Sequence, residues 1–143
     1  MRLRTSIDWS AEGPVASTRV FRVILPVSSI ENAAAFYRAV LEQPGVRVSP
    51  GRHYFGCTGV ILACFDPRAD GDPWDATPNP DHVYLAVPDL DACYERVAAA
   101  PGSVIREPIR TQPWGERSFY STDPFGNKLC FVDDRTLFTA GLL

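Results

Sequence analysis

Two stretches of this chain repeat one another. Val23-x-Leu25-x-Val27 returns 60 residues later as Val83-x-Leu85-x-Val87, and Gly59-Val60-Ile61-Leu62-Ala63-Cys64-Phe65-Asp66 returns 67 residues later as Gly126-Asn127-Lys128-Leu129-Cys130-Phe131-Val132-Asp133. The seven-residue difference is an insertion inside the second unit. A unit with one helix can cover one face of its sheet, so each copy needs the other to complete a core. With 143 residues in all, there is room for a single domain built from both units.

Each unit reads as one strand, one helix and three more strands. Val20-Phe21-Arg22-Val23-Ile24-Leu25 is short and β-branched, which favours a strand. Ser28-Ser29-Ile30-Glu31 offers a capping box from Ser28 to Glu31. Ile30, Ala33, Ala34, Tyr37, Val40 and Leu41 then share a helical face, ended by Pro44-Gly45. Val46 to Ser49, Arg52 to Cys57 and Val60 to Phe65 complete the unit. From Asp66 to Asp81, Pro, Gly and Asp crowd out regular structure. The order then recurs: strand His82 to Val87, a helix capped by Asp89 with Leu90, Cys93, Tyr94 and Val97 on one face, and strands at Ser103 to Glu107, Glu116 to Thr122 and Lys128 to Val132. The fold class expected is α+β, two tandem βαβββ modules whose curved sheets form a cleft. The boundaries expected are a polar, aperiodic tail over 1–19, module one over 20–66, a linker over 67–81, module two over 82–133 and a tail over 134–143. Trp9 is the residue of the first tail best suited to dock.

Composition excludes several function classes. Fourteen Lys and Arg against seventeen Asp and Glu give a net charge of −3, with no basic run, so no nucleic-acid partner is expected. No segment has the run of about 18 apolar residues of a membrane span, and the N-terminus lacks the apolar stretch of a secretory signal. A cytoplasmic protein with no membrane partner is the expectation. The cysteines at 57, 64, 93 and 130 form no C-x-x-C pair, which argues against a zinc knuckle or a disulfide framework and for reduced, buried thiols.

His82-Val83-Tyr84-Leu85-Ala86-Val87-Pro88-Asp89, the helix Ala35-Phe36-Tyr37-Arg38-Ala39-Val40-Leu41 and Phe119-Tyr120-Ser121-Thr122-Asp123-Pro124-Phe125-Gly126-Asn127 resemble the vicinal oxygen chelate superfamily. That superfamily includes glyoxalase I, extradiol dioxygenases, fosfomycin-resistance enzymes and bleomycin-binding proteins. The resemblance covers Val20 to Asp133 and implies the two-module cleft, often completed by a dimer partner, so a homodimer is expected.

Strand alternation sends Val23, Leu25 and Val27 under the first helix, and Arg22, Ile24 and Pro26 the other way. In the same manner His82, Tyr84 and Ala86 face the concave side. The resemblance places metal ligands, usually His, Gln or Glu, at positions that here are Arg22, Ala63, His82 and Cys130. Two of the four can coordinate, and a guanidinium repels a cation. No metal cofactor is therefore expected, with His82 the one candidate ligand. Tyr120 lies where extradiol dioxygenases carry an active-site tyrosine, but Cys130 replaces their glutamate, so their iron chemistry does not carry over. Glu116 shares a strand face with Ser118 and Tyr120, which the resemblance at Tyr120 turns into the cleft, and is a candidate partner for Arg22 or for a cationic ligand. Trp114 is a candidate stacking wall. His53 is read as a surface or rim residue.

These features favour a protein that binds a small organic molecule through Arg22, His82, Tyr84, Trp114, Glu116, Tyr120 and Cys130, with no catalytic residue identified. The alternative is a metal-dependent enzyme of the superfamily, a glyoxalase-like lyase or isomerase or a dioxygenase, with atypical ligands. An acid–base enzyme using His82 and Glu116 is a third reading.

Overall fold

The computed structural model describes residues 18–143. Module one runs β1 (Arg22–Pro26), α1 (Ile30–Leu41), β2 (Val46–Ser49), β3 (Arg52–Cys57) and β4 (Val60–Phe65). Module two repeats the order as β5 (Val83–Val87), α2 (Leu90–Ala99), β6 (Val104–Thr111), β7 (Arg117–Thr122) and β8 (Lys128–Asp133). The sheets have the same topology, β1-β4-β3-β2 and β5-β8-β7-β6, with the first strand of each parallel to the last. The expected α+β architecture of two βαβββ units is what the chain adopts. No helix among the described residues is long and apolar enough to cross a membrane.

One core serves both units. Leu25, Val27, Tyr37, Val40 and Leu62 from module one join Leu90, Val97, Phe119, Leu129 and Phe131 from module two in one buried cluster. Alternation explains the assignment: odd-numbered residues of β1 turn under α1, while Arg22 and Ile24 are exposed on the opposite face. The modules touch through α1 and α2 and through the turn between β7 and β8. Among the described residues their sheets share no ladder.

Local chemistry corrects several sequence expectations. The cap of α1 is Ser29, whose hydroxyl accepts from the Asn32 amide, and Glu31 pairs with Arg47 at 2.9 Å instead of closing a capping box. The helix ends earlier than Pro44, at Leu41, because Glu42 adopts a left-handed φ of 55°. In the second unit β6 continues past Glu107 to Thr111 despite Pro108. It is an edge strand, and two register shifts absorb the proline without costing a ladder bond on its free side. The Asp89 cap of α2 and the spans of β2, β3 and β4 stand as read.

Candidate functional site

The face of the module-two sheet turned away from the core gathers four of the candidate residues. Tyr84, Cys130 and Tyr120 are in register across β5, β8 and β7, so their side chains stand in one row. His82, just before β5, meets Tyr120 edge-to-face with ring centroids 4.9 Å apart, and lies 6.3 Å from the Tyr84 ring. Tyr84 is 59% exposed, so its ring forms an open aromatic surface. Burial pushes the Cys130 thiol up to about 11, against weaker opposing hydrogen bonds from Ser118 and Tyr120. Burial, reinforced by Cys130 and Tyr84, also raises the Tyr120 hydroxyl well above its ordinary value. At neutral pH both groups keep their protons, and neither is a poised nucleophile or base.

Two residues beside this face, Arg110 and Gln112, escaped the sequence reading. Gln112 is buried; its Nε2 donates to Ser118 Oγ at 3.2 Å, and its Oε1 accepts from Arg110 Nε and Nη2 at 3.2 and 3.1 Å. Arg110, Gln112 and Ser118 thus form a fixed polar chain next to Cys130. The extension of β6 beyond Pro108 is what brings Arg110 opposite Ser118. Nothing in the sequence marks that extension, because proline reads as a strand end.

Trp114 and Glu116 lie at the turn from β6 to β7 and bind each other. Glu116 Oε1 accepts from Trp114 Nε1 at 2.8 Å and its Oε2 accepts from the Phe138 amide at 3.0 Å. The indole is thereby oriented while remaining 49% exposed. Arg22 stands apart on module one, its guanidinium 4.8 Å from the Phe21 ring and 5.5 Å from the Tyr54 ring. The expected Arg22–Glu116 pairing is not made within the chain: Glu116 is engaged by Trp114 and Phe138, and Arg22 by aromatic faces on the other sheet. His53 is also not on the rim. It is 1% exposed, with Nε2 donating to the Pro44 carbonyl at 3.0 Å and Nδ1 accepting from Arg47 at 3.3 Å. Its ladder partner Cys64 lies on the helix side of the sheet, which fixes the imidazole in the core.

The four positions where superfamily members hold a divalent ion do not suit one here. Ala63 offers no donor and Arg22 is a cation, while Cys130 is a buried thiol whose ionisation burial disfavours. His82 and Cys130 leave one nitrogen and one sulfur donor, short of the three protein ligands such a site usually uses. Among the described residues no three His, Cys, Asp or Glu side chains converge as ligands.

Comparison with known proteins bears on the scaffold. The model of the Glyoxalase/Bleomycin resistance protein/Dioxygenase superfamily matches residues 19–131. The chain belongs to that superfamily. Among curated proteins it is 36% identical over 99 residues to "Putative glyoxylase CFP32" of Mycobacterium tuberculosis, a match spanning 66% of this chain and 36% of the relative. The chain therefore spans about a third of that relative's length. A glyoxalase-related enzyme from Fulvimarina pelagi superposes with TM-score 0.68 at 21% identity, covering 82% of this chain and 88% of that one. A glyoxalase/bleomycin resistance protein from Albidiferax ferrireducens does so with TM-score 0.67 at 26% identity, covering 79% and 96%. A lactoylglutathione lyase from Agrobacterium tumefaciens gives 0.64 at 23%, covering 84% and 96%. The likeness to the first and third is one of fold alone.

Proposed function

We propose that this glyoxalase-like chain binds a small, planar organic molecule on its concave surface without a catalytic metal. The observation that carries the reading is the row of Tyr84, Cys130 and Tyr120 with His82 edge-on to it. It offers aromatic faces and neutral hydrogen-bonding groups where a chelating site would need carboxylates. Such a surface draws affinity from stacking and apolar burial, with the Arg110–Gln112–Ser118 chain fixing orientation. Trp114, held by Glu116, supplies a wall at one end.

A second copy of the chain completes the cleft in this reading. Among the described residues the two sheets share no ladder, and Phe21, Ile24 and Tyr84 are exposed apolar groups around the strands that would face a partner. Arg22 of module one would then reach a ligand bound to the partner's module two, as a charge-assisted donor.

The test is a melting-temperature screen with planar aromatic acids and heterocycles, run beside elemental analysis of the purified protein. Binders should raise the melting temperature of the native chain and lose at least tenfold in affinity in Tyr84→Ala and His82→Ala. The relatives' printed names, glyoxylase and lactoylglutathione lyase, favour a second reading as a metal-dependent lyase. Stoichiometric zinc, nickel, manganese or iron that disappears in His82→Ala would replace the first reading with that one.

A further inference from the structure

The outer faces of the two sheets repeat the same ladder positions with different side chains, and the copies differ in charge. In module two three of these positions carry His82, Tyr120 and Ser118; in module one the equivalents are Arg22, Tyr54 and Arg52. The tyrosine is kept and its neighbours become guanidinium groups. Tyr120 is paired across the ladder with Glu107 of β6, whereas Tyr54 is paired with Val46 of β2. Among the described residues no carboxylate stands at the outward positions of β1, β3 and β4. The module-one face is therefore cationic, while the module-two face mixes Glu107 with Lys128 and Arg110.

Arg22 is set up to receive an anion. It starts on β1 and Tyr54 lies on β3, with β4 between them, and the small Ala63 leaves room for the side chain to cross. The guanidinium ends 4.8 Å from the Phe21 ring and 5.5 Å from the Tyr54 ring, and the residue stays exposed. Aromatic contacts occupy the faces of a guanidinium, whereas its N–H donors lie in its plane, so the fork that fits a carboxylate is left available. Stacking also restrains the side chain in advance, which lowers the freedom lost on binding. Arg52 is a weaker second cation, with its guanidinium 4.2 Å from the Phe65 ring and its Nε 3.9 Å from Asp70. We propose that the small molecule this protein binds is a planar carboxylate, and that Arg22 holds its acid group beside Tyr54. This names the ligand class for the surface described above and rests on that reading. The orientation follows from charge, because an acid group placed at Tyr120 would meet Glu107.

Equilibrium titration of the full chain with naphthoate and with its uncharged isostere naphthamide tests this. The native chain should bind naphthoate at least about tenfold more tightly, and the margin should shrink as salt is raised. In Arg22→Gln the margin should fall below about threefold, and Arg22→Lys, which keeps the charge without the planar fork, should show an intermediate one. Tyr84→Ala should weaken both compounds alike and leave the margin intact. A native margin below threefold overturns the inference, as does a tenfold margin that persists in Arg22→Gln. If Tyr84→Ala still weakens both compounds in either case, a planar ligand on module two stands and its acid group alone is disproved. A native chain that binds neither compound overturns the inference together with the reading on which it rests.

Discussion

The turn between β7 and β8 and the turn between β3 and β4 hold equivalent places in the repeat, yet they close their corners by different physics. In module two, Asp123 is buried and accepts from Tyr37 Oη at 2.6 Å, from the Phe125 and Asn127 amides at 2.9 and 2.8 Å, and from Asn127 Nδ2 at 2.9 Å. Asn127 goes on to Pro26 O, and its Oδ1 accepts from the Asn79 amide at 2.8 Å. One helix, one strand edge and the linker are thus tied to a single carboxylate. In module one the ladder positions of Asp123 and Asn127 are Cys57 and Val60, and the helix position of Tyr37 is taken by Val97. Two valines and a thiol, at most a weak donor, cannot build such a network, and a cavity lies beside Cys57 and Val60. The halves are bridged beside that cavity by a cation instead: Arg96 Nε donates to Val40 O at 3.1 Å and its Nη1 pairs with Glu42 at 3.4 Å. A buried carboxylate network locks one corner of the duplicated fold and a half-exposed arginine holds the other.

The strongest way to break this contrast is to cut the lock. Asp123→Ala leaves the fully buried Tyr37 hydroxyl and two amide donors without a partner, and should cost on the order of 3 kcal/mol or more in urea unfolding. Cys57→Ala, its counterpart, should cost about 1 kcal/mol because it removes only half-buried sulfur. Similar losses in the two variants would erase the distinction. Tyr37→Phe comes next, at about 1.5–3 kcal/mol for a hydrogen bond to a carboxylate. In a double-mutant cycle it should be strongly non-additive with Asp123→Asn.

The thiols sharpen the comparison from a different side. Burial lifts Cys64 in module one to about 12, and Cys93 and Cys130 in module two to about 11, from an ordinary 9.0. Raised folded-state values mean that the protonated form is the one the fold holds. Their contribution is complete below about pH 9 and is lost as pH rises toward 11–12. At pH 10 each thiol should account for about 1 kcal/mol of lost stability, abolished by the matching Cys→Ala background. The smallest effect belongs to the module-one turn itself. Thr58, at a left-handed φ of 43°, should gain less than about 1 kcal/mol on Thr58→Gly, read as a small rise in melting temperature.

Periodicity made most of the fold readable. The spacing of Val23, Leu25 and Val27 fixes the helix-facing side of β1, and the same arithmetic at Val83 fixes β5, because burial of one face enforces the alternation. What escaped depends on contacts distant in sequence. Pro108 looks like a terminus until β6 is known to be an edge, and only then do Arg110 and Gln112 come beside Ser118. His53 reads as a rim residue until Pro44 folds back to accept its proton. Within the candidate cluster, alternation along one strand placed His82 and Tyr84, whereas Tyr120 and Cys130 were placed by the resemblance to the superfamily. The placement of Arg22 relative to Glu116 did not, since it depends on how two sheets meet.

The segment joining the modules does more than span a gap. Asn79 covers a main-chain acceptor of β1 and anchors Asn127 at the same time. Replacing it with a featureless Gly-Ser tether of equal length would keep the halves connected but lay bare a strand border, inviting one molecule to zip onto the next. In that sense the linker is a cap on the outer border of β1, and an engineer who splits or permutes this chain there must supply another.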